Sequence, residues 1–75
     1  MTQHQLAANI KALRQKACLS QEALAHDAEI DRTYISQIER AVVSSLLSVL
    51  VRISGVLRVT VIDLLKPDEF LEIGV

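Results

Sequence analysis

Arg32, Thr33, Ser36, Gln37 and Arg40 lie in one short stretch and carry the clearest chemistry in this chain. At about 100° per residue along a helix they gather on one side, Arg32 at its edge, while Tyr34, Ile35 and Ile38 fall opposite. Their groups are hydrogen-bond donors and acceptors. Such a set suits the major groove of DNA: arginine grips guanine bidentately, glutamine matches adenine, a threonine methyl meets that of thymine, and serine reaches phosphate. An ordinary solvated helix face has the same pattern, so the spacing alone leaves both readings open.

The elements that must position these residues are legible around them. Asp31 is a good N-cap and predicts a helix from Arg32 to about Arg40. Ser20 caps another, Gln21 to about Ala28, with Leu24, Ala25 and Ala28 inward and Glu22 near its positive end. Between them, Ala28 to Asp31 must turn the chain in about four residues, which suits two helices crossing steeply in a helix-turn-helix unit. Ala25 is small where the helices would approach. Glu29 stands in the turn where glycine would be comfortable, so a left-handed conformation there carries modest strain.

The run LRQKACLSQEALAHDAEIDRTYISQIER resembles the helix-turn-helix core of the phage repressor and Cro family, and DRTYISQIER is especially similar to restriction-modification controller proteins. The resemblance extends roughly over Leu6 to Leu65. It implies an all-α, compact five-helix, lambda-repressor-like DNA-binding domain with the helix-turn-helix at its second and third helices. It also implies base or groove contacts from Gln21, Arg32, Thr33 and Gln37. Phosphate contacts are implied for Ser36, Arg40 and the amide at the start of the Gln21 helix. Arg14 and Glu39 match positions that commonly pair to tie the first helix to the recognition helix. Dimerisation through the fourth and fifth helices is implied as well.

The whole chain sets bounds. Its 75 residues are expected to form one domain over 1–66 with a short tail over 67–75. A domain this small buries only about 60% of its unfolded surface, so association would help it. One Tyr, one Phe, one Pro and two Gly among 51% apolar residues fit helices better than sheet. The net charge of −1 is not that of a non-specific nucleic-acid coater. Its distribution matters more: Lys11, Lys16, Arg32 and Arg40 precede residue 41, and acids crowd the chain after Asp63.

The first helix is predicted over about Thr2 to Ala17, with Leu6, Ala7, Ile10, Leu13 and Ala17 inward and Asn9, Lys11, Gln15 and Lys16 outward. Cys18 sits where this family usually places glycine, so a left-handed conformation would cost roughly 1 kcal/mol; it is read as a semi-buried structural cysteine. The sharpest departure from the family is AVVSSL, Ala41 to Leu46, where a Gly, then basic and polar residues, then Asn-Pro-Ser usually stand. Ser44, Ser45 and backbone amides remain as phosphate donors, and either serine can cap the next helix.

That helix, about Leu46 to Leu57, carries too much apolar surface for one inward stripe. Gly55 allows close backbone approach, and Thr60 with Asp63 forms a capping box for a fifth helix, Val61 to Leu65. Leu47, Leu50, Val51, Val61, Ile62 and Leu65 are the candidate dimer interface, a generous core being the other reading. Pro67 should end the last helix, leaving Phe70, Leu71 and Ile73 to pack across a partner or fold back.

Other chemistry finds little support. A single cysteine excludes an internal disulfide and points to a reducing cytoplasm. His4 and His26 have no ligand at metal spacing, so neither a metal nor a cofactor is expected. No strained nucleophile elbow or Gly-rich phosphate loop occurs, which argues against an enzyme. No signal peptide is expected from MTQHQLAANIKALRQK, and Arg52, Arg58 and Asp63 interrupt the apolar stretch too closely for a membrane span. The chain reads as a sequence-specific regulator that binds a roughly palindromic stretch of double-stranded DNA as a homodimer. The alternative is an antitoxin-like protein or adaptor whose apolar surface over 46–65 binds another protein.

Overall fold

A computed structural model describes residues 3–65, which form five helices. They are α1 (Gln3–Lys16), α2 (Gln21–Ala28), α3 (Arg32–Glu39), α4 (Leu47–Leu57) and α5 (Val61–Leu65). The expected start of α1 at Thr2, and the roles given to Pro67, Phe70, Leu71 and Ile73, lie outside the described residues. α1 packs on α3 and α5, α2 on α3 and α4, and α4 on α5. Ile10, Leu24, Ile35, Ile53 and Leu64 are fully enclosed where these helices meet.

Local chemistry explains the starts. The Ser20 side chain accepts from the Ala23 amide at 3.0 Å, and Asp31 Oδ1 accepts from the Thr33 amide at 2.7 Å. Each satisfies a first-turn donor that the helix itself leaves without a partner. Thr60 and Asp63 exchange backbone-to-side-chain bonds of 2.9 and 3.1 Å, the reciprocal capping box that opens α5. α4 differs from expectation. Leu46 is its N-cap and supplies no side-chain bond, so neither Ser44 nor Ser45 caps it.

The ends share one solution. Cys18, Glu29, Ala41 and Arg58 all adopt left-handed backbone, with φ between 57° and 60°. After each, the next amide bonds back five residues: Leu19 to Arg14 O, Ile30 to Ala25 O, Val42 to Gln37 O and Val59 to Ser54 O. An apolar residue following a left-handed one is the Schellman closure, normally built on glycine. Here Leu19, Ile30 and Val59 pack against the core and hold three of the closures without it. Burial offsets the steric cost of the missing glycine.

Gly55 is placed where no such freedom is used. It lies exposed inside α4, and a methyl group built on it would meet no atom within 4 Å. The expected close backbone approach is therefore absent. Gly55→Ala is expected to stabilise the fold by about 0.5–1 kcal/mol, read as a higher urea midpoint at unchanged m-value.

Several inward and outward assignments are corrected. Asn9, expected outside, is 0% exposed and donates from Nδ2 to Leu64 O at 2.9 Å, joining α1 to α5. Ala17 is exposed because α1 ends before it. Cys18 is exposed, since a residue at the outward corner of the closure points away from the core. Leu50, a candidate dimer contact, is 6% exposed and belongs to the core, while Leu64, given no role by the sequence, is the buried anchor of α5.

Candidate nucleic-acid interface

α2 and α3 are joined by Glu29, Ile30 and Asp31, a connection short enough to force a steep crossing. α3 then buries Ile35 and Ile38 against the core. Its other side presents Arg32, Thr33 and Arg40 exposed, and Ser36 and Gln37 half-buried. Arg32, Thr33 and Ser36 line a shallow depression of about 180 Å³. The five polar residues therefore share a surface with two guanidinium groups.

A second network ties this helix to its neighbours. Arg14 Nε donates to Glu39 Oε2 at 2.7 Å and Nη2 to Glu39 Oε1 at 3.0 Å, a bidentate pair whose side chains are 11% and 2% exposed. Arg14 Nη1 also donates to Leu19 O at 2.7 Å. Gln21, half-buried at the start of α2, donates from Nε2 to Glu39 Oε1 at 3.1 Å. α1, α2 and α3 are thus clamped on one carboxylate. The tether on Gln21 was not legible in the sequence, where Gln21 and Glu39 stand 18 residues apart.

The AVVSSL connection runs beside this surface with its own ties. Tyr34 donates its hydroxyl to Ser44 O at 3.2 Å, and Gln3 Nε2 donates to Ser44 Oγ. Ser44 is exposed; Ser45 is half-buried, its hydroxyl oxygen enclosed. Sequence reasoning gave Gln3 and Tyr34 no such role, and no periodicity signal marks a bond across 41 residues.

The residues proposed for self-association divide. Leu47, Val51, Ile62 and Leu65 are exposed, with Leu47 at 67% and Ile62 at 69%; Val61 is half-buried against the core, and Leu50 lies inside it. Leu46 and Val42 add further exposed apolar surface. Among the described residues, no group of His, Cys, Asp or Glu is placed to hold a metal, and no helix is long and apolar enough to cross a membrane.

Two short helices crossing through a tight turn, the second with a polar outer side and three more helices supporting them, define the helix-turn-helix class of domain. The sequence profile of the helix-turn-helix family matches residues 10–64. The chain is similar in structure to a protein described as a hypothetical transcription factor, NHTF, from Neisseria. That match has a TM-score of 0.89 at 34% identity, over 97% of this chain and 85% of that one. It is also similar to SinR of Bacillus subtilis, a master regulator for biofilm formation solved in complex with DNA. There the TM-score is 0.79 at 32% identity, over 81% and 98% of the two chains. A third likeness is to the restriction-modification controller protein C.AhdI from Aeromonas hydrophila, with a TM-score of 0.81 at 26% identity over 83% and 94%. Among curated protein sequences, none matches this chain. The chain belongs to the helix-turn-helix family, in its phage repressor and Cro branch.

Proposed function

We propose that this chain is a sequence-specific DNA-binding transcriptional regulator that occupies a roughly palindromic operator as a homodimer, with α3 in the major groove. The observation that carries this reading is the polar side of α3, Arg32, Thr33, Gln37 and Arg40, set opposite the buried Ile35 and Ile38. NHTF, described as a hypothetical transcription factor, and SinR, solved in complex with DNA, support it by likeness. Arg32, Thr33, Gln37 and Gln21 read bases; Ser36, Arg40 and Ser44 hold phosphates, while Ser45, expected to join them, has its hydroxyl oxygen enclosed and does not. One helix reads too few bases alone. Two related by a two-fold axis enter successive major grooves about 34 Å apart, and exposed Leu47, Val51, Ile62 and Leu65 supply the surface for pairing.

Arg32→Ala tests the reading directly. It should cost roughly 1–3 kcal/mol of binding and relax the preference at one base pair per half-site, measured by fluorescence anisotropy on single-base operator variants. Equal loss on operator and random DNA would demote Arg32 to a phosphate contact. Arg40→Ala should instead weaken all sequences alike and flatten the salt dependence.

The same exposed apolar residues, with Leu46 beside a connection stripped of basic side chains, favour a second reading. In it, an antitoxin-like protein or adaptor binds a different protein through α4 and α5. Light scattering on a sizing column separates the two, since a tight self-dimer already covers that surface.

A further inference from the structure

The geometry points to Glu39 as a positioning residue for base readout: through its bond to Gln21 it fixes which hydrogen-bonding groups that side chain offers to DNA. This deepens the reading of the chain as a sequence-specific DNA binder and rests on it.

The chemistry follows from what each group can do. A carboxylate only accepts, so the Gln21 amide must turn its NH2 toward Glu39 Oε1, where the bond is 3.1 Å. Turning the amide over would set two acceptor oxygens against each other. The carboxylate itself does not swing, because Arg14 holds both its oxygens at 2.7 and 3.0 Å and Arg14 is anchored on Leu19 O. Glu39 is also nearly enclosed, so water competes little for it.

With one N–H used internally, Gln21 keeps one N–H and its carbonyl oxygen. That donor and acceptor are the pair adenine requires at N7 and the N6 amino group. A phosphate, which only accepts, uses the N–H and leaves the oxygen facing negative charge. The tether therefore biases Gln21 toward an adenine edge. It also joins the first residue of α2 to the last residue of α3, so the Gln21 contact is held in register with the recognition helix. Glu39 thus serves both the fold, through Arg14, and specificity, through Gln21.

The test is selection of bound duplexes from a random pool by the wild-type chain and by Gln21→Ala, Glu39→Gln and Arg14→Lys, each first shown to be folded by circular dichroism. Gln21→Ala and Glu39→Gln should lose, by about tenfold or more, the preference for the same A·T pair in each half-site. Arg14→Lys, which exchanges the two-point grip on the carboxylate for a single charge, should melt earlier and weaken that preference less than Glu39→Gln does. Should Glu39→Gln fail to fold, Gln21→Asn decides, since an amide one methylene shorter cannot span Glu39 and a base together and should lose the preference on an intact fold. An unchanged preference in Glu39→Gln, or in Gln21→Asn, overturns the inference. So does a Gln21→Ala variant that weakens every sequence alike. A folded wild-type chain that enriches no sequence removes the underlying reading, and this inference with it.

Discussion

Replacing Glu39 with alanine is expected to cost about 3–5 kcal/mol of folding stability, a large share of what a domain this small possesses. The size follows from what remains. Arg14 is nearly enclosed, and without Glu39 its guanidinium keeps the bond to Leu19 O but loses two charge-assisted bonds and its counter-charge. Gln21 loses its acceptor in the same step. Replacing both Arg14 and Glu39 by apolar residues of similar volume should cost much less, because no buried charge is stranded. Urea denaturation followed by circular dichroism measures both. A Glu39→Ala midpoint close to wild type would mean that the pair is solvated and does not clamp the helices.

Leu64→Ala is the second large effect, at about 2–5 kcal/mol. α5 has five residues and no stability of its own. Three things hold it: the enclosed Leu64 side chain, the Asn9 amide on Leu64 O, and the Thr60–Asp63 capping box. Truncating Leu64 removes the first and leaves a cavity between α1, α4 and α5. Ile62 and Leu65 ride on the same helix, so the proposed self-association should fall together with the melting temperature. Ile62→Ala provides the contrast. That side chain is exposed, and its loss should weaken association while leaving the fold within about 0.5 kcal/mol of wild type. If Leu64→Ala left both melting and association unchanged, the docking of α5 would have no energetic weight.

The elements around the candidate site were legible because their signals are local. Ser20, Asp31 and the Thr60–Asp63 pair act within one turn, and the structure shows each making its cap. Left-handed backbone was considered at Cys18 and Glu29, where glycine would be comfortable, but not at Ala41 or Arg58, which adopt it as well. Errors arose where packing decides. Asn9 reads as an outward polar residue until a carbonyl from α5 is brought against it, and Ala17 reads as core only if α1 runs one residue further. In α4 the apolar residues encircle the helix, so periodicity could not assign Leu50 inward and Leu47 and Val51 outward. Five residues are too few for any period, which hid Leu64. The ties of Gln21 to Glu39 and of Gln3 and Tyr34 to Ser44 depend wholly on the folded arrangement.

The central claim is that α3 reads DNA sequence from paired copies of this chain. Selection of bound duplexes from a random pool at moderate salt tests it most directly, because no operator need be known in advance. The expected result is an enriched palindrome whose half-sites lie about one helical turn, roughly 34 Å, apart. A folded chain that enriches no sequence at all would contradict it.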